Sequence, residues 1–277
     1  MRKVIINVCI TGMVPTKEMT PYIPISVKEI AQTAIECAQL GASVVHVHPR
    51  MPDGKPTWKK TEFAKIIEGI RNENDKLIIS ATTSGRLWNE FEKRSEVLDL
   101  EKDLRPDLAS LTIGSMNFIS IESVNTPQMI EQLAIKMKEK GIKPELEIFE
   151  LGMIHKAKYL INKGIIDNEA PYFNLLFGSL GTTPFDPVSF GAFNALLPEN
   201  AIWSTAGVGA FQLDANVASL AFGGHVRVGL EDNIYFDREK KELASNQKLV
   251  ERIANIIKAM GLEIATPEEA REILQLK

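Results

Sequence analysis

Cysteine is scarce in this chain, with two in 277 residues, Cys9 and Cys37, each inside an apolar segment. That density excludes a disulfide framework and predicts two buried, reduced thiols, as in a cytoplasmic protein. No run of ~18 apolar residues occurs, so no membrane-spanning helix is expected. The opening MRKVIINVCITG has too short an apolar stretch for a secretory signal and runs straight into a strand pattern. Neither sign of charge dominates. The net charge of −4 lacks the basic footprint of a nucleic-acid binder. No GxGxxG or P-loop follows the first apolar run, which argues against a nucleotide-binding open sheet. GxSxG is also missing, and no Ser/His/Asp set is visible. With no Gly/Ser/Pro-rich linker to divide it, the chain reads as one domain over 1–277.

What the chain does have is repetition of short apolar runs with helical patterns between them. The runs at 4–10, 43–48, 77–83, 108–114, 145–150, 173–179, 201–207 and 225–230 read as strands. Their continuous apolar character predicts burial on both faces, the mark of a parallel sheet. The intervening helices are punctuated. SVKE at 26–29 and TPEE at 266–269 read as capping boxes, the second opening a last helix that runs nearly to Lys277. Asn125-Thr126-Pro127 and Asp186-Pro187 are cap-then-proline starts, while Gly41, Gly141 and Gly164 are stops. Eight β-then-α units in a chain of this length favour an α/β fold of the (β/α)8 TIM-barrel type, which needs ~250 residues.

In such a barrel the chemistry collects at the C-terminal ends of the strands. The second strand ends in HVHPR (46–50), and residues two apart on a strand point the same way. His46 and His48 are thus a natural pair of ligands for Zn2+ or a similar divalent ion. The eighth strand, in GGHVRVGLEDN (223–233), supplies Arg227, Glu231 and Asp232. One acid would complete the ligand set and the other would act as general base beside Arg227; spacing does not say which. His225 reads as structural, and His155, near the start of a helix, as exposed. On the fifth strand Glu145 and Glu147 share a face, and a carboxylate buried there needs a cation, which places Glu147 near Arg227 or the metal. Thr82, Thr83 and Gly85 after the third strand, with Ser110 and Thr112 on the fourth, offer small donors to carboxylate or carbonyl oxygens. These residues alone point to a metal-dependent enzyme with a general base beside the metal, and a metal-dependent amide or ester hydrolase is one reading of them.

HVHPR (46–50), PELEIFELGM (144–153) and GGHVRVGLEDN (223–233), in that order, resemble the β-keto acid cleavage enzyme family. The similarity runs from ITG (10–12) to ATPEEAREIL (265–274). The family's best-known activity is 3-keto-5-aminohexanoate cleavage in lysine fermentation. The resemblance implies a (β/α)8 barrel, a homotetramer and one Zn2+ per subunit held by His46, His48 and Glu231. It implies Asp232 as general base supported by Arg227 and Glu147, with Thr82 and Ser110 at the substrate's carboxylate and keto groups. Acetyl-CoA is the implied co-substrate, and acetoacetate plus a new acyl-CoA are the implied products. One position departs from the pattern. Members that cleave the amino substrate carry a glutamate where this chain has Val14, so an ammonium tail would lack its partner. An uncharged tail is expected, or an anionic one if Lys17 reaches the pocket.

Overall fold

The computed structural model describes residues 1–276. Eight parallel strands close into a barrel, each hydrogen-bonded to the next in chain order and the last to the first. They are Ile6–Cys9, Val44–Val47, Ile78–Ala81, Leu108–Thr112, Lys143–Ile148, Tyr172–Phe177, Ile202–Gly207 and His225–Val228. The α/β barrel expected from the sequence is therefore the fold. Two short pairings were not anticipated: Lys3–Val4 with Glu263–Ile264, and a hairpin of Met116–Asn117 with Glu122–Ser123.

The helix boundaries follow local chemistry. Ser26 Oγ accepts the Glu29 N–H at 3.2 Å while Glu29 Oε2 accepts the Ser26 N–H at 2.8 Å, so the box satisfies donors on both sides. Thr266 and Glu269 repeat it at the closing helix, Pro267–Leu274. That helix stops at Leu274; Lys277, toward which it was expected to run, lies outside the described residues. Thr126 caps the helix that starts at Pro127, and Asp186 the one that starts at Pro187. Asn125 turns its amide elsewhere, to Gly114 O and Ser123 Oγ.

Both faces of the strands are buried, as expected, but they differ in chemistry. Outward residues such as Ile6, Val8, Val45, Val47 and Ile79 join the apolar layer beneath the helices. The inward face is apolar only at the barrel's N-terminal end, where Ile5, Val44, Ile78 and Leu108 pack on Ala265, Ala270 and Leu274. Above this plug the interior turns polar, with Asn7, Ser80, Glu145, Asn174 and Ser204 all at 0% exposure. The continuous apolar reading of the strands thus fails on the inward face. Polar side chains are tolerated there because they bond one another and support the C-terminal mouth. Among the described residues, no helix is long and apolar enough to cross a membrane.

Candidate active site

The second strand delivers two imidazoles to the mouth of the barrel. His46 Nε2 and His48 Nε2 face each other at 3.1 Å. The segment after the eighth strand brings Glu231 to them, with Oε1 3.2 Å from His48 Nε2 and Oε2 4.0 Å from His46 Nε2. Glu231 arrives there because Gly229 (φ +153°) lets the chain turn against the first strand; a Cβ on it would lie 2.1 Å from Cys9 O. Gly12 (φ +66°) is needed for the same approach, since its Cβ would meet Glu231 Cγ at 2.6 Å. Asn246 then ties the two strand ends together, donating to Ile10 O and accepting the Leu230 N–H, each at 2.9 Å.

Arg227 organises the acids. Its Nε lies 3.1 Å from Asp232 Oδ2 and its Nη2 3.0 Å from Glu231 Oε1. Its Nη1 lies 3.6 Å from Glu147 Oε1 and 3.7 Å from Glu145 Oε1. Burial alone would lower the guanidinium's pKa, but the charges of Asp232, Glu231 and Glu145 raise it well above its ordinary value. Asp232 Oδ2 also receives the Cys9 thiol at 3.1 Å. Its Oδ1 accepts no hydrogen bond from the described residues, which leaves one carboxylate oxygen available to a substrate.

Titration behaviour divides the two histidines. Burial, helped by His46 and Arg227, pushes His48 down to about 4 against the pull of Glu231. Burial would also lower His46, but Glu231 and Glu145 outweigh it and raise its pKa. Glu145 sits beneath, with Oε2 3.3 Å from His46 Nδ1 and 2.5 Å from the Ser80 hydroxyl that donates to it. Its Oε1 accepts from Asn7 Nδ2 at 2.8 Å and Asn174 Nδ2 at 3.0 Å. Burial would raise Glu145, yet His46, Arg227 and Ser80 hold it down at about 2. Glu147 goes the other way: burial outweighs Arg227, and its pKa is raised.

This arrangement fits a divalent cation. His46, His48 and Glu231 each offer one ligand atom, and these atoms lie within 4.8 Å of one another. With Nδ1 of His46 directed at Glu145, the Nε2 lone pair is the one that faces His48 and Glu231. Glu231 Oε2 is buried without a hydrogen-bond partner among the described residues. Several lone pairs converging on one point with too few protons between them are a poor arrangement for a vacant polar cluster and a good one for a cation.

The remaining expected residues do not all reach this centre. Thr82 and Ser84 line a small cleft with His48, Met13 and Trp88. Ser110 Oγ accepts the Thr83 N–H at 3.2 Å, and the Thr83 hydroxyl donates to Ser110 O at 2.6 Å. Thr112 donates to Glu147 Oε2 at 2.6 Å. Gly85 is packed so closely that a Cβ would touch Arg94 Nη1 at 2.5 Å. Val14 is 52% exposed. Lys17 is held at 2.8 Å by Glu29 and is half-exposed. His155 is exposed on the helix Leu151–Asn162. His225 lies at the opposite end of the barrel, where its Nδ1 accepts the Ile5 N–H at 3.0 Å. Sequence reasoning missed the roles of Asn7, Cys9, Ser80, Asn174 and Asn246; for Asn7, Ser80 and Asn174 the available signal was a polar residue in an apolar run, and Cys9 and Asn246 carried none.

A family model described as beta-keto acid cleavage enzyme matches residues 3–276. The chain is 39% identical to a 3-keto-5-aminohexanoate cleavage enzyme of Fusobacterium nucleatum, covering 100% of this chain and 99% of that one. It is 37% identical to a 3-oxoadipate:acetyl-CoA acetyltransferase of Cupriavidus necator, covering 98% and 94%. Among solved structures, ObcA in complex with a C4-CoA adduct and oxalate has the same fold, at a TM-score of 0.80 and 19% identity over 92% of this chain and 68% of that one.

Proposed function

This chain belongs to the β-keto acid cleavage enzyme family, and on that premise we propose that it condenses a β-keto acid with acetyl-CoA and releases acetoacetate and a new acyl-CoA. The observation that carries this reading is the convergence of His46, His48 and Glu231 with Asp232 beside them. The three ligands would hold one zinc ion, which supplies Lewis acidity toward the keto and carboxylate oxygens of the substrate.

The protein's own groups do the rest. Asp232, anchored through Oδ2 by Arg227 and Cys9, presents Oδ1 to take the proton at C2 of the β-keto acid. Arg227 keeps the acid cluster fixed and offsets its charge, with Glu147 as its second support. Thr82 and Ser110 donate to the substrate's carboxylate and keto region, and Thr83, Gly85 and Thr112 shape the wall behind them. Val14 borders the tail. The enolate carbon attacks the acetyl-CoA thioester, CoA passes to the former keto carbon within the adduct, the bond between that carbon and C2 breaks to release the acyl-CoA, and Asp232 returns its proton to C2 to give acetoacetate. No nucleophilic side chain is needed. A hydrolase would be expected to use additional histidines as ligands, and His155 and His225 lie away from the centre. A single barrel domain, a homotetrameric assembly and a cytoplasmic location complete the reading.

The test is incubation of zinc-loaded protein with acetyl-CoA and a panel of β-keto acids, followed by mass spectrometry. Acetoacetate and a matching acyl-CoA in equal amounts are expected from at least one member. Consumption of substrate without any new acyl-CoA would return the assignment to a hydrolase.

A further inference from the structure

The cations around the mouth of the barrel are committed, with one exception. Arg50 donates to Gly12 O, Pro15 O and Gly54 O. Arg94 donates to Thr83 O, Val124 O and Asn125 Oδ1. Arg227 is enclosed by carboxylates, and Lys17 is held by Glu29. The Arg86 guanidinium has no hydrogen bond or ion pair with any described residue.

Its position is nonetheless well defined. Arg86 follows Gly85 in the segment after the third strand, and its backbone N–H donates to Ser84 Oγ at 3.3 Å. The guanidinium carbon lies 3.8 Å from the centroid of the Phe118 ring. Phe118 in turn packs edge-on against Phe149 at 5.7 Å. Contact with an aromatic ring consumes no hydrogen-bond acceptor, so the guanidinium keeps N–H donors to offer. Burial lowers the Arg86 pKa, opposed by the charges of Glu231, Glu147 and Asp232, so the group is within electrostatic reach of the reaction centre.

A half-buried guanidinium with a free donor fork is shaped for a carboxylate or phosphate. Four carboxylates surround a single buried arginine in the centre below, so an anionic tail needs another cation on its path. No acid stands at Val14 to favour an ammonium group instead.

We propose that Arg86 reads the tail of the substrate by pairing with a second carboxylate, which makes the preferred substrate a β-keto dicarboxylate. The inference rests on the reading of the site as a β-keto acid cleavage centre, in which Thr82 and Ser110 already serve the β-keto carboxylate. Two other sources could supply an anion to the same fork: that common carboxylate and a CoA phosphate.

Calorimetric titration of the zinc-loaded protein, without acetyl-CoA, separates them. The probes are 3-oxoadipate and 3-oxohexanoate, which differ at the tail in a carboxylate against a methyl group. The wild-type protein is expected to prefer the dianion, and Arg86→Gln to weaken 3-oxoadipate by roughly 10- to 100-fold while leaving 3-oxohexanoate nearly unchanged. Arg86→Lys, which keeps charge but not the fork, should fall between. Equal losses for both ligands would assign Arg86 to the common carboxylate and overturn the proposal. So would a wild-type protein without preference, or a loss confined to acetyl-CoA in a parallel titration. Acyl-CoA formation is read in a separate assay, so a failed turnover reaction leaves the binding result to decide this point.

Discussion

His46 and Glu145 form a pair in the barrel interior in which Nδ1 lies 3.3 Å from Oε2 and both side chains are at 0% exposure. The carboxylate fixes the ring so that its other nitrogen faces His48 and Glu231. Glu145→Gln removes the charge and keeps the size, so zinc affinity should fall by about 10- to 100-fold with the fold intact. Competition against a chelator, with circular dichroism as control, measures this. An unchanged affinity would show that the Ser80 hydroxyl, 3.2 Å from His46 Nδ1, orients the ring by itself.

His48→Ala and Asp232→Asn should separate binding from chemistry. Zinc at ~100 times its dissociation constant should stabilise the wild-type protein by about 2.7 kcal/mol, and His48→Ala should lose that increment. Asp232→Asn should retain it while kcat falls by roughly 100- to 10,000-fold. Thermal melts with and without zinc, paired with steady-state assays, would distinguish the two behaviours. Loss of the zinc response in Asp232→Asn would place Asp232 among the ligands.

Gly229→Ala tests the close approach that positions Glu231. A Cβ there would lie 2.1 Å from Cys9 O, and no side-chain rotation relieves a clash with backbone. Destabilisation of about 2 kcal/mol or more is expected, with weakened zinc binding because Glu231 and Asp232 follow directly. Denaturant titration and chelator competition report the two effects.

Acid sensitivity should come first from His225, joined by His48 where the protein is metal-free. Burial, then the charge of Arg2, pushes it from 6.5 down to about 4. The unfolded chain therefore takes up a proton through pH 6.5 that the folded chain refuses until about 4. Stability from this group is complete above 6.5 and lost between those values as pH falls, by about 3 kcal/mol at most. Glu145, held at about 2 against an ordinary 4.5, contributes its own loss only at lower pH. His48, at about 4, adds to the same window in metal-free protein. His225→Gln keeps an acceptor for Ile5 and does not titrate. Its unfolding free energy should decline less steeply from pH 6.5 to 4.5 than that of the wild type. Parallel slopes would remove His225 from the account.

Much of the architecture was legible in the chain itself, because the signals are local. Apolar runs marked all eight strands to within a few residues, and the cap chemistry of Ser26, Asp186 and Thr266 marked helix starts. The spacing of His46 and His48 put both imidazoles on one face. It was equally clear that Glu231 and Asp232 belonged near Arg227, but spacing left their roles open.

What the sequence could not express is which distant residues meet once the barrel closes. Cys9 and Asp232 touch across 223 positions, and Asn7 reaches Glu145 across 138. Strand periodicity says that Asn7, Cys9 and His46 occupy defined faces, but not which face turns inward or at what height. Those are set by the stagger of eight strands hydrogen-bonded in a ring, a property of no single segment. The free guanidinium of Arg86 is likewise invisible in the chain, since being unpartnered is a statement about every other residue. The sequence by itself determined the strands, the caps and the shared face of His46 and His48; the tertiary structure decided their depth, their neighbours and which charge has no partner among the described residues.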